Sequence, residues 1–139
     1  MSNNKPPVLK LVEEIIAIDP GVRFASIIDK DGNVVEGIMN SKKTNLKSQQ
    51  EQEYFCKQVA NRRAMRKEFD NSLGKVRYVH VEREKLTQIV LYPNDYTIYF
   101  TLEPEMAVVD RVKIINKVKK LVSGIMPNMV HYNSGGYSG

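Results

Sequence analysis

Arginines interrupt the apolar face of a long helix that the sequence predicts in the middle of the chain. At about 100° per residue, Phe55, Val59 and Phe69 fall on one side of this helix. A guanidinium stays charged wherever it is placed, so the helix cannot simply close over a dry core. The charges need carboxylates, an anionic ligand, a partner surface or water. The interrupting residues are Arg62 and Arg66, which project into the apolar sector, and Arg63, which lies on its flank.

Three interpretations of these arginines remain open from the sequence. In the first, the planar guanidinium fork pairs with carboxylates of Asp70, Glu82 or Glu84, within one chain or across a dimer seam. In the second, the helix forms a protein-binding surface, because arginine with Tyr54 and Met65 has the composition of a binding hot spot. In the third, the arginines bind an anionic small ligand or nucleic acid. The candidate interface residues are Tyr54, Phe55, Val59, Arg62, Arg63, Arg66 and Phe69.

Periodic apolar patterns predict three helices and five strands. Residues 23–39 read as a β-hairpin, because two apolar strands flank a tight turn in which Gly32 can adopt a positive φ. Ser48 and Glu51 have the spacing of a capping box, which predicts the well-formed start of the middle helix. The predicted helices span residues 8–18, about 46–73 and 103–123, and the strands span 23–28, 34–39, 75–82, 86–92 and 96–102.

The last helix is predicted to open at Pro104, with acidic residues in its first turn, and to end at Gly124. Helical spacing places one apolar stripe on it, which we expect to be buried. That stripe comprises Val108, Val112, Ile115, Val118 and Val122, widened by Ile114 and Leu121.

The order of elements is therefore α-β-β-α-β-β-β-α. Apart from the helical crossover the strand connections are short, which favours antiparallel pairing. The predicted fold class is α+β: a five-stranded antiparallel sheet with helices on its faces, in which the first hairpin lies beside the last strands. We expect a flexible N-terminus at residues 1–7, a single domain at 8–123 and a flexible, Gly/Ser-rich tail at 124–139.

Several function classes find no support in the sequence. No run of about 18 apolar residues predicts a membrane span, and the first residues lack the apolar region of a signal peptide. With the single Cys56, this favours a cytoplasmic protein. His80 and His131 have no third ligand spaced near them, and no phosphate-binding loop or activated nucleophile is present. We therefore predict no catalytic residues, no metal and no cofactor.

The element order, together with the hairpin from Phe24 to Val35 and its turn at residues 29–32, resembles the roadblock (dynein light chain) group. This group belongs to the wider profilin-like set that includes longin domains, and the resemblance covers about residues 8–123. It implies a homodimer, in which the middle helix and an adjacent strand pair across a two-fold axis. It also implies a scaffold or regulator of small GTPases rather than an enzyme.

A second resemblance rests on residues 62–70, 73–75 and 82–85. These segments are similar to a family of uncharacterised proteins from ammonia-oxidising archaea. That resemblance implies an archaeal origin and no known activity.

The predicted function is a non-enzymatic, dimeric adaptor or regulator that binds a protein, such as a small GTPase. One alternative is a ligand sensor in the PAS or longin style, with an anionic ligand held by arginines in a cavity between sheet and helix. A second alternative is a nucleic-acid-binding module. The net charge of +5 favours anionic partners, although 16 acidic residues are interspersed with the basic ones.

Overall fold

The computed structural model describes residues 5–136, and the side chains of residues 5–125. It confirms the predicted fold class, an α+β domain with a five-stranded antiparallel sheet. A short additional helix follows the middle helix. The elements are α1 (Pro7–Ile16), β1 (Val22–Ile28), β2 (Val34–Met39), α2 (Gln49–Lys67), α3 (Asp70–Leu73), β3 (Val79–Glu82), β4 (Thr87–Leu91), β5 (Thr97–Leu102) and α4 (Val108–Gly136).

The strands lie in the order β2-β1-β5-β4-β3, and each neighbouring pair is antiparallel. The first hairpin therefore lies beside the last strand, as predicted, with β1 paired to β5. This order leaves β2 and β3 as the two edges of the sheet. Each edge presents backbone N–H and C=O groups that no strand of the sheet pairs.

The predicted hairpin turn is confirmed, and it also positions α2. Asp29 Oδ1 accepts hydrogen bonds from the backbone N–H groups of Asp31 and Asn33, each at 2.9 Å, and Gly32 adopts a φ of 86°. A Cβ atom at Gly32 would lie 2.8 Å from the Lys57 Cα atom. Glycine is thus required both for the turn and for its close approach to the helix.

The two faces of the sheet are covered by different helices. Helices α1 and α4 cover one face, hereafter the α1/α4 face, where the larger apolar cluster is buried. Helix α2 covers the other, hereafter the α2 face, over a small cluster. That small cluster contains Ile28, Cys56, Val59, Val90 and Tyr99.

Several predicted boundaries are wrong. Strand β3 begins at Val79 rather than at residue 75, because β4 extends only one residue, Leu91, beyond the Val79–Val90 pair. Helix α4 begins at Val108 instead of residue 103 and continues past Gly124. The predicted flexible segments at both termini include residues 1–4 and 137–139, which lie outside the described residues.

The predicted buried stripe of the last helix is also wrong at its start. Val108 is 56% exposed and Val112 is exposed as well, whereas Arg111 is only 4% exposed. The later residues Ile115 and Val118 are buried as predicted. Within the described part of the chain, no helix combines the length and the apolar content that crossing a bilayer requires.

Candidate functional site

The predicted capping box sets the start of α2. Ser48 Oγ accepts a hydrogen bond from the Glu51 backbone N–H at 3.1 Å, and the Ser48 N–H donates to Glu51 Oε1 at 3.0 Å. Two of the N–H groups that a helix start leaves unpaired are thereby satisfied. The residue at which α2 begins fixes which of its side chains face the sheet.

The side of α2 that faces the sheet differs from the predicted one. It is centred on Cys56 and Val59, which are both buried, and at about 100° per residue Arg63 and Arg66 continue the same line. Arg62 lies on the flank and is exposed. The prediction that placed Arg62 in the buried sector and Arg63 beside it is therefore wrong, because it took Phe55 and Phe69 as the centre of the face. Phe69 lies beyond the end of α2 and is exposed.

Arg63 is held by the turn between β4 and β5. Its Nη1 atom donates to the Tyr96 carbonyl oxygen at 2.7 Å and to Thr97 Oγ1 at 3.2 Å, and its Nη2 atom donates to the Asn94 carbonyl oxygen. Burial lowers the pKa of Arg63, while Tyr92 and nearby carboxylates act in the opposite direction. Arg63 therefore fixes α2 to the sheet through neutral oxygen atoms.

Arg66 and Arg62 contact aromatic side chains. Arg66 Nη1 donates to the Tyr92 hydroxyl at 2.9 Å, and the Tyr92 ring lies 4.9 Å from the Arg63 guanidinium. The Arg62 guanidinium lies 5.6 Å from the Phe55 ring on the exposed flank of the helix. The distances from Arg63 to the Tyr92 ring and from Arg62 to the Phe55 ring are typical of cation–π interactions, in which the negative face of a ring attracts a cation.

The predicted carboxylate partners do not pair with these arginines within the single chain. Asp70 lies near Arg63 and Arg66, but among the described residues it forms no ion pair within 4.0 Å. Glu82 instead pairs with Arg111 at 3.4 Å, and Glu84 is exposed. A role for these carboxylates across a dimer seam stays a prediction.

Exposed apolar side chains, hereafter the apolar stripe, lie near both ends of the outer flank of α2, with the polar Gln58 and Asn61 between them. Tyr54 is 67% exposed and Met65 is 64% exposed, and Phe69, which follows the helix, is 57% exposed. Leu73 in α3 and Val81 in the edge strand β3 are also exposed. Val81 is paired with Gln88, whose side chain contacts Tyr99 on the α2 face, so Val81 lies on that same side of the sheet. The sequence identified Tyr54 and Phe69 but not Leu73 or Val81.

Of the seven residues predicted for an interface, four contact the sheet or the β4–β5 turn within the chain, and one of these is Arg66, which donates to Tyr92. Val59 is buried in the small cluster, and Arg63 is bound to the β4–β5 turn. Phe55 is half-buried against the Tyr99 ring, at 5.0 Å between ring centroids. Tyr54, Arg62 and Phe69 are exposed, and Arg66 is half-buried.

Sequence reasoning missed Arg111, which anchors α4 to the edge of the sheet. Its Nε atom donates to the Met106 carbonyl oxygen at 2.8 Å, and Nη2 donates to the Pro104 carbonyl oxygen at 3.0 Å. Nη1 lies 3.1 Å from His80 Nε2 and also pairs with Glu82. The available signal was helical spacing, since Arg111 lies four residues before the buried Ile115.

The reactive groups of the α2 face are held in their neutral forms. Burial raises the pKa of the Cys56 thiol to about 11 and the pKa of the Tyr99 hydroxyl to about 12. The Tyr99 hydroxyl also accepts a hydrogen bond from Gln88 Nε2 at 3.0 Å. Neither group is a ready nucleophile near neutral pH. In the described part of the chain, no three His, Cys, Asp or Glu side chains are grouped to hold a metal ion.

Comparison with known proteins identifies the family and the fold. A family model described as a family of unknown function, DUF6659, matches residues 10–127. No curated protein matches the sequence.

Solved structures match over nearly the whole chain. A Roadblock/LC7 domain from Streptomyces avermitilis is 14% identical, with 87% of this chain and 96% of that chain covered and a TM-score of 0.68. The gliding protein MglB from Thermus thermophilus is 12% identical, with coverages of 90% and 92% and a TM-score of 0.71. MglB from Myxococcus xanthus is 9% identical, with coverages of 93% and 94% and a TM-score of 0.70. The predicted resemblance to roadblock domains is thus confirmed at the level of the fold.

Proposed function

Because this chain belongs to the DUF6659 family, we propose its function from its fold and its surface: a non-enzymatic adaptor or regulator that acts as a homodimer. One observation carries the proposal. An exposed apolar stripe on α2 and α3 lies on the same side of the sheet as Val81, in the open edge strand β3. Exposed apolar side chains beside an unpaired strand edge are typical of a surface that binds protein.

Two copies can cover this surface in a symmetric way. Pairing of β3 with its copy extends the sheet, and the same two-fold axis brings the α2 stripes of the two chains together. Self-association is compatible with this fold, because one structure with the same fold is MglB in a tetrameric arrangement, with a TM-score of 0.73 and 12% identity.

Light scattering coupled to size-exclusion chromatography, over a concentration series, tests the homodimer. We expect the wild type to have the mass of a dimer and the variant Met65→Glu to have the mass of a monomer, because a charge is placed in the apolar seam. Ala64→Glu is the matched control, since Ala64 is exposed on the same helix and points about 100° away from Met65. A wild type that is monomeric at every concentration contradicts the proposal.

A small GTPase is the partner that we propose for the dimer. The Roadblock/LC7 fold supports this choice, and so does the exposed Arg62, because arginine beside aromatic side chains is common in binding hot spots. Purified small GTPases from the source organism can be titrated in the GDP-bound and GTP-bound forms against the wild type and Arg62→Glu. Binding that depends on the nucleotide and is lost in Arg62→Glu supports the proposal. Equal binding by the wild type and by Arg62→Glu contradicts it.

The two alternatives receive less support from the described residues. Where a PAS-style sensor would hold its ligand, the centre of the space between α2 and the sheet is filled by Cys56, Val59 and Tyr99. A pocket of about 350 Å³ opens between the first turns of α2 and the β1–β2 hairpin, but none of the α2 arginines lines it. For the nucleic-acid alternative, affinity for DNA or RNA that falls steeply with salt is the decisive observation. A cytoplasmic location is part of our proposal and is tested by fractionation of the source cells.

A further inference from the structure

A small basic groove lies at the C-terminal end of α2, next to the α3 end of the surface proposed for dimerisation. It is bounded by the last turns of α2, by residues 75–76 and by the β4–β5 turn, and its volume is about 220 Å³. Its charged walls carry four positive side chains and one carboxylate. These residues are Arg63, Arg66, Lys67, Lys75 and Asp70.

The two arginines of the groove are positioned before any ligand arrives. Three oxygen atoms of the β4–β5 turn bind Arg63, and the Tyr92 ring packs against its guanidinium. Tyr92 also accepts the hydrogen bond from Arg66 Nη1, which leaves the other N–H groups of Arg66 available. A side chain that is already fixed loses little conformational entropy when it binds.

The positive charges of the groove are not balanced by the chain itself. Within the described residues, Arg63, Arg66, Lys67 and Lys75 form no ion pair within 4.0 Å, although Asp70 and Asp95 lie close enough to influence Arg63. The negative end of the α2 dipole lies here, but it amounts to about half an elementary charge. The groove therefore retains a positive potential that the fold does not neutralise.

We propose that this groove binds a phosphate group, either as inorganic phosphate or as the phosphate of a small monoester. The groove is open to solvent, and its volume of about 220 Å³ accommodates a phosphate group while the rest of a monoester extends outside it. The planar fork of Arg66 matches two phosphate oxygens, and Lys67 and Lys75 add point charges from the open side.

The phosphate site and the dimer surface can be tested separately. Arg66 faces the β4–β5 turn, whereas Tyr54 and Met65 lie on the outer flank of the helix. If a variant loses phosphate binding but still has the mass of a dimer in light scattering, the result concerns the groove and not the dimer surface. Loss of the dimer with phosphate binding intact bears on the proposed function alone.

Isothermal titration at constant ionic strength, with inorganic phosphate in one arm and adenosine monophosphate in the other, tests the proposal. We expect saturable binding at one site per chain, accompanied by NMR shifts of the Asn94 and Lys75 backbone amides. Tighter binding of phosphate alone identifies the free anion as the ligand, and tighter binding of the nucleotide identifies a monoester. Saturable binding in neither arm overturns the proposal.

Charge variants locate the site. Arg66→Gln should weaken binding about 10- to 100-fold, which corresponds to the loss of a charge-assisted hydrogen bond, and Arg66→Lys should weaken it less. Lys75→Gln should weaken binding about tenfold and leaves the fold intact, because Lys75 is exposed. Lys10→Gln is the matched control, since Lys10 is exposed on α1, on the α1/α4 face of the sheet. Equal binding by all four variants contradicts a site in this groove.

Discussion

Helices cover both faces of the sheet, but different side chains lie beneath them. The α1/α4 face is apolar throughout its centre, whereas the α2 face mixes a small apolar cluster with buried hydroxyl and amide groups. The large buried residues of the first face include Leu11, Ile15, Ile27, Ile89, Ile98, Phe100, Leu102 and Ile115. The buried polar residues of the second face include Ser26, Gln88, Thr97 and Thr101.

This difference separates stability from surface function. Burial of apolar area is the main favourable term in folding, so the α1/α4 face should supply most of the stability. On the α2 face, Gln88 and Tyr99 hydrogen-bond to each other, and Ser26 donates to the Tyr99 carbonyl oxygen at 3.1 Å. Such groups add little net stability, but they hold α2 in one orientation. That orientation directs the apolar stripe of α2 outward and brings the basic C-terminal end of α2 to the β4–β5 turn.

Ile27 and Ile28 provide the sharpest test of this comparison. They are adjacent in β1, both fully buried, and they point to opposite faces. Substitution of a buried isoleucine by alanine costs about 2–5 kcal/mol, depending on how far the site can collapse. We expect the cost of Ile27→Ala to fall at the upper end of this range and that of Ile28→Ala at the lower end. The reason is that α2, which covers only a small apolar cluster, can move inward and reduce the cavity left by Ile28. Urea unfolding, with the slope of the transition compared between variants, measures both values.

Equal losses in the two variants would break the comparison. That result would mean that α2 is packed as rigidly as α1 and α4. The reverse order, with Ile28→Ala more damaging, would place the main core under α2. Both outcomes can be read from the same pair of unfolding curves.

Local patterns made much of the fold predictable. The hairpin turn at Asp29 and the capping box at Ser48 depend on residues within a few positions of each other, and both are confirmed. Long-range contacts explain what the sequence could not show. Residues 75–78 have strand-like side chains but no partner strand, and the carbonyl oxygens of Pro104 and Met106 are bound by Arg111 instead of starting a helix.

The candidate site was predictable in its residues but not in their contacts. The sequence showed that the α2 arginines need partners. It could not show that the carbonyl oxygens of the β4–β5 turn, about 30 residues away, would bind Arg63. Such acceptors are present in every peptide group, so no side-chain pattern marks them.

The next largest expected change in the free energy of unfolding comes from substitution of Arg111, on the α1/α4 face. Arg111→Gln should destabilise the protein by about 3 kcal/mol, because two partly buried carbonyl oxygens lose a charged donor and Glu82 loses its ion pair. Lys113→Gln is a suitable control, since Lys113 is exposed on the same helix. Thermal unfolding followed by circular dichroism measures the difference. A loss no larger than that of the control would show that α4 is held by its apolar residues alone.

On the α2 face, the neighbours Arg63 and Arg62 should behave differently. Arg63→Gln should cost about 1–3 kcal/mol, since it leaves carbonyl oxygens of the β4–β5 turn without a donor. Arg62→Gln should stay within about 0.5 kcal/mol, because Arg62 is exposed and contacts only the Phe55 ring. Both values should be measured at a concentration where the protein is monomeric, so that a dimer seam does not contribute. Equal effects would contradict the orientation of α2 described above.

The smallest expected effect depends on pH and concerns the loop that leads into α2. Glu103 pairs with Lys43, from that loop, and with Arg23, which also donates to the Thr44 carbonyl oxygen at 3.0 Å. Lys43 first, and then Arg23, hold the pKa of Glu103 below its ordinary value of 4.5. The stabilisation is therefore fully present above about pH 4.5 and is lost as the pH falls through the lowered pKa.

Glu103→Gln removes this titration without a change of shape. We expect the wild type to be more stable than this variant by about 1 kcal/mol near pH 7, and the difference to vanish in acid. Urea unfolding at a series of pH values measures it. Because the loop leads directly into α2, loss of the ion pairs should also weaken the protection of amide hydrogens in α2 more than in α4. A difference that persists unchanged into acid would show that packing of Glu103, and not its charge, holds the loop in place.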